Sequence, residues 1–225
     1  MDYNTATVTR TSGVSIEINK VLKNTYLLLS ATLLFSAAMA GVSMSMNSGH
    51  PGIIIWLVVT FGLLFAVNKT AESAMGIVLT FAFTGWLGFT LGPLLSMYVA
   101  MHGSGIIMQA LGGTGLIFFA LSGYVLTTKK DFSFLRGILF AGLMVVIFSM
   151  IFYFVGSYFF GLHISGFSLA LSAIIILLMS GFILFDTSSI IRGEQTNYVM
   201  ATVSMYLNLY NIFIHLLHLL SAFDD

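Results

Sequence analysis

Seven separate apolar runs, each roughly 20 residues long, constrain this chain more than any other feature, because each can cross a bilayer as a helix. They fall at approximately 24–46, 51–68, 75–101, 106–127, 137–160, 165–186 and 198–220. A backbone in hydrocarbon must satisfy its own amides and carbonyls, so only helices and closed barrels span membranes. The runs are continuous rather than alternating in polarity, which argues against strands. The sequence therefore predicts an all-α integral membrane protein with seven transmembrane helices. Composition agrees. Only 7% of the residues are charged, against about 25% in ordinary soluble domains. That is too little polar surface to coat a globule in water. The net charge of zero carries no signal for nucleic acid or acidic partners, and no nucleic-acid partner is expected. The absence of cysteine excludes disulfides, thiolate catalysis and thiolate metal ligands.

The basic residues give an orientation. They are Arg10, Lys20, Lys23, Lys69, Lys129, Lys130, Arg136 and Arg192. All lie in the N-terminal tail or in the alternate loops on its side of the membrane. The opposite loops, around His50, His102–Gly105 and Gly161–Ser165, carry none. By the positive-inside rule, the N-terminus is expected in the cytoplasm and the C-terminus outside. The expected organisation is a polar, flexible cytoplasmic tail over 1–23 and a seven-helix transmembrane domain over 24–225. "ATLLFSAAMAG" resembles a signal-peptide core with a small-residue site at Ala38–Ala40. The long polar tail before it and the apolar run after it favour a retained first span. In the third span, Pro93 follows "GWLGFTLG", a combination that suggests a kink or tilt.

Polar groups inside a span are costly and mark contacts or function. On the last run, Ser204, Asn208, Asn211, His215 and His218 are spaced 4, 3, 4 and 3 apart. That spacing places them on one helical face, which is expected to point toward other helices or a wet cavity. The stripe can serve as interhelical hydrogen bonding or as a path for protons or ions; the spacing alone favours the first. Asp186, in "GFILFDTSSIIRGE", is the only acid at the edge of a span interior. It is either a proton-sensitive latch near the cytoplasmic mouth or a helix-end group solvated by lipid headgroups. The five histidines, His50, His102, His163, His215 and His218, lie on or toward the outer side in this topology, which makes them candidates for a pH-responsive outer face. A histidine pair three residues apart with no acid nearby is a poor metal site, and no metal or other cofactor is expected. Small residues such as Ser36, Ala37, Ala40 and Gly41, and Gly85, Gly88 and Gly92, suit close helix packing. No nucleophile–base spacing or zinc-protease motif stands out, and no enzymatic activity is expected.

Several segments together resemble the Bax-inhibitor (transmembrane Bax-inhibitor-motif) family. They are "NKVLKNTYLLLSATLLFSA", "TFAFTGWLGFTLGPLLSMY", "ALGGTGLIFFALSGYVLTTKKDFSFL" and "ILFDTSSIIRGEQTNYVMATVSMYLNLYNIF". The resemblance covers nearly all of the chain after the first 15 or so residues. It implies a seven-helix bundle whose last helix is surrounded by the others. Channel-like members carry a pair of aspartates, on the sixth and seventh spans, that shares a proton and gates a calcium leak. Here Asp186 matches the first position, but the second reads Asn208, which cannot ionise. The match to the family's basic residue near the second span rests on Lys69 alone.

The bacterial branch that these segments resemble implies an inner-membrane protein that binds and inhibits the membrane-anchored ATP-dependent protease FtsH and its companion HflK–HflC. The handle would be the N-terminal tail, with Met1, Arg10 and Lys20, from which a slowly degraded competitor is gripped. The alternative is a pH-sensitive calcium or cation leak, for which Asp186 and Asn208 are the candidate gate.

Overall fold

In a computed structural model of the protein, the described residues are 3–161, 164 and 166–224, with side chains described from Ile16 onward. Seven α-helices follow in order: α1 Tyr3–Ser45, α2 Ile53–Thr70, α3 Ala74–His102, α4 Gly105–Thr128, α5 Leu135–Phe160, α6 Phe167–Ile191 and α7 Tyr198–Phe223. All seven are long and apolar enough to cross a membrane; in α1 the qualifying stretch is Ile16–Ser45. No strand occurs among the described residues.

Most boundaries fall within about three residues of the apolar runs, because hydrocarbon length sets both. Two differ more. Helix α1 begins at Tyr3, well before the first apolar run, since polar residues can continue a helix in water. Helix α6 continues past Asp186 to Ile191. Asp186 therefore sits more than a turn inside the helix rather than at its edge. The residues after it, Thr187, Ser188, Ser189 and Ile190, are buried, so the polar run "DTSS" is held by protein contacts.

The chain divides into two compact units. The first holds residues 1–100 and 189–206. Its core is a close approach of α1 and α3. A Cβ added at Gly88 would lie 2.2 Å from the Ser36 carbonyl oxygen, and one at Gly92 would lie 2.3 Å from Ser43 Oγ. Only glycine lets the backbones come this near. Tyr206, at the end of this unit's part of α7, is 1% exposed. Its hydroxyl donates to the Thr84 carbonyl at 3.2 Å and lies 2.6 Å from Ser36 Oγ. Thr202 adds a bond to the Thr25 carbonyl at 3.3 Å, and Trp86 Nε1 donates to Thr60 Oγ1 at 3.0 Å. Helix α3 passes unbroken through Pro93.

The second unit holds residues 101–188 and 207–225. Leu139 of α5 and Leu178 of α6 fill the space over Gly181 and Gly142 respectively. Ser122 of α4 lies 3.3 Å from Thr187 of α6. Ser188 fixes the α4–α5 loop by accepting from Phe132 N at 3.0 Å and donating to the Lys130 carbonyl at 3.3 Å. Of α5, only Leu139, Val146 and Gly156 are buried. Its exposed Phe148, Phe152 and Phe154 form the kind of apolar surface that lipid tails cover. Helix α7 contrasts with this: from Tyr198 to Ser221 it has no exposed residue.

Candidate functional site

The polar stripe of α7 is resolved into distinct contacts. Asn208 is 5% exposed, and its Nδ2 donates to Asp186 Oδ2 of α6 at 2.8 Å. An amide in place of a second carboxylate changes the chemistry of this pair. Two carboxylates this close must share a proton. The amide donor is satisfied by Asp186 Oδ2 whether or not the carboxyl is ionised, provided the acid proton sits on the other oxygen. Asn211 turns back on its own helix, with Nδ2 donating to the Leu207 carbonyl at 2.8 Å. Among the described residues, that nitrogen makes no bond to another helix. Ser204 belongs to the first unit's part of α7 and is half-buried.

Further along α7, Ser172 of α6 lies 2.9 Å from His215 Nδ1 and 2.9 Å from His218 Nδ1. At the end of the helix, Ser221 lies 2.9 Å from His102 Nε2, and Asp224 lies 3.6 Å from His102 Nδ1. The structure thus brings Asn208, His215 and His218 onto the side of α7 that meets α6. Among the described residues, no three His, Asp or Glu side chains converge as a metal would need. His50 is exposed in the α1–α2 loop; His163 lies outside the described residues.

Of the tail residues, Met1 lies outside the described residues and Arg10 lies in the part of α1 whose side chains are not described. Lys20 is exposed. It borders a cleft of about 360 Å³ between the start of α1 and the α6–α7 loop, where Val21 and Asn24 face Gln195 and Tyr198. Gly193 adopts φ +72 in that loop, and a Cβ there would stand 3.5 Å from Ile18 Cδ1.

Sequence reasoning missed Ser36, Ser172 and Tyr206 as polar anchors. Single hydroxyls in apolar runs commonly bond back to their own helix, so nothing in the spacing distinguishes these three.

An all-helical membrane protein, with a polar stripe on a last helix that is buried or half-buried from Tyr198 to Ser221, is the class that fold and site define. The profile of the family described as "Inhibitor of apoptosis-promoting Bax1" matches residues 18–225, and the chain belongs to that Bax-inhibitor family. It is 51% identical over 211 residues to an Escherichia coli K12 protein named "Modulator of FtsH protease YccA", covering 94% of this chain and 93% of that one. A second E. coli relative, equally similar, is named "Inner membrane protein YccA". An uncharacterized membrane protein of Vibrio cholerae is 48% identical over 99% of both chains.

Proposed function

We propose that this protein is an inner-membrane modulator of FtsH that inhibits the protease as a slowly degraded competitor. The observation that carries this reading is the 51% identity, along 94% of the chain, to the E. coli protein named "Modulator of FtsH protease YccA". The charge asymmetry supports a cytoplasmic N-terminus, where an ATP-driven protease can reach the segment 1–23. Gripping it requires the first turns of α1 to unwind. Thr, Ser, Asn and Gly, which dominate residues 3–15, are poor helix formers, so that step is cheap.

Resistance comes next. A pull on the N-terminus first parts Ile18 from Gly193, then Thr25 from Thr202, then Ser36 from Tyr206. The glycine face of α3 holds α1 along the same stretch. Beyond these contacts, extraction would expose apolar helix to water. A substrate that is easily gripped and hard to extract occupies the protease. Engagement of HflK–HflC rests on the family resemblance. The cation-leak alternative has Asp186 in its favour, but its partner Asn208 supplies no second titrating group.

The test is the half-life of an FtsH membrane substrate in bacteria overproducing this protein, intact or lacking residues 2–20. The intact protein should lengthen the half-life and the truncated one should not. No lengthening by either form would sink the protease reading.

A further inference from the structure

Two histidine rings meet one hydroxyl. Ser172 Oγ is 2.9 Å from Nδ1 of both His215 and His218, and Ser172 is 2% exposed. A hydroxyl has one proton to give and lone pairs to accept. Among the described residues the hydroxyl hydrogen has no acceptor other than these rings, so with both rings neutral Ser172 donates to one Nδ1, which must be bare. It accepts from the other, which must carry hydrogen. The two rings are then forced into opposite tautomers. We infer that Ser172, His215 and His218 form a single-proton site in which the hydroxyl passes a proton between the two rings.

The transfer balances without any other reactant. A proton arriving at the bare Nε2 of one ring makes that ring cationic. Its Nδ1–H then passes to Ser172 Oγ while the Oγ–H passes to the second ring's Nδ1. The first ring ends neutral, the second cationic, and the serine unchanged. A second positive charge would stand within two hydrogen-bond lengths of the first, so like-charge repulsion keeps the pair at one added proton.

Among the described residues, α4, α5 and α6 place no charged side chain at this end of the second unit; His163 of the α5–α6 loop lies outside them. The stretch 137–160 of α5 carries only Tyr153 and Tyr158 among titratable groups. Tyr153 stacks on Phe167 at 4.3 Å. On α6 the one ionisable side chain is Asp186, which bonds Asn208. From the end of α3, His102 meets Ser221 and Asp224. The only acids after residue 194 are Asp224 and Asp225. This site is independent of the protease reading.

The test is ring-nitrogen NMR of the full-length protein, with ¹⁵N-labelled histidine, in lipid nanodiscs. His215→Gln and His218→Gln assign the signals. Near neutral pH the pair should carry one Nδ1 proton between them. On acidification both rings should shift with one common midpoint. Ser172→Ala should split that into two separate midpoints, and Ser172→Thr, which keeps the hydroxyl, should preserve it. Two Nδ1 protons or none in the neutral wild type, separate wild-type midpoints, or a common midpoint that survives Ser172→Ala would each overturn the inference. The wild-type measurements decide it even if Ser172→Ala does not fold.

Discussion

Tyr206 and Ser36, 170 residues apart in the chain, meet at 2.6 Å between hydroxyl oxygens in the buried core of the first unit. Because the tyrosine proton goes to the Thr84 carbonyl, Ser36 is the donor in this contact. One phenol thus ties α7 to both α1 and α3. Tyr206→Phe removes the oxygen with little change in volume. Ser36 can turn back to its own helix, so the loss should be about 1 kcal/mol. Reversible unfolding in mixed detergent measures it. If α1 anchoring slows proteolysis, the same variant should also shorten this protein's own half-life in cells with active FtsH.

The glycines of α3 and α4 make opposite predictions. Gly88→Ala forces a methyl against the backbone carbonyl of Ser36, which cannot rotate away. Overpacking of this kind costs roughly 1–3 kcal/mol, and a larger residue should cost more. Gly112 has nothing within 4 Å of an added Cβ. Gly112→Ala should be neutral or stabilise by roughly 0.5–1 kcal/mol through reduced backbone entropy. In detergent the thermal midpoint of Gly88→Ala should fall, and that of Gly112→Ala should stay or rise.

The Asp186–Asn208 pair predicts an asymmetric mutational pattern. Asp186→Asn keeps an acceptor for Asn208 Nδ2 and should be tolerated. Asp186→Leu leaves a buried amide unsatisfied and should cost about 1–3 kcal/mol. Asn208→Asp creates two carboxylates in contact, which need a shared proton. That proton is held at low pH and lost as pH rises, so the variant should be most stable in acid and weaken toward alkaline pH. The parent should not show this loss, and denaturation curves across pH distinguish them.

Ser188 holds the α4–α5 loop through two hydrogen bonds. Ser188→Ala removes the acceptor for the Phe132 amide. Hydrogen exchange at Phe132 should accelerate, by about tenfold if the bond contributes about 1.4 kcal/mol, while amides in the middle of α4 stay protected. Unchanged exchange at Phe132 would show that the loop is held by other contacts.

The spans were legible because their cause is local. A helix in lipid satisfies its backbone within itself and needs only length and apolarity, both written in consecutive residues. The polar stripe of α7 was legible as a pattern for a similar reason: the 4, 3, 4, 3 spacing repeats with the helix turn, although in the structure Asn211 bonds its own helix. The sequence places Asp186 at the edge of an apolar run, since "DTSS" reads as an exit from it; the helix itself continues to Ile191, with Ser188 bonded to the α4–α5 loop.

By itself the sequence determined seven membrane-crossing helices, the polar side of the last one, and a family resemblance that the comparisons bear out. Only the tertiary structure decided the partners. Asn208 took Asp186, both α7 histidines took Ser172, and Tyr206 took Ser36. The physical reason is one of range. Burying polar groups in lipid demands some partner for each, and periodicity says which side must find one. Which hydroxyl or carboxylate answers depends on how helices far apart in the chain pack, and close approaches such as Gly88 on Ser36 set that packing.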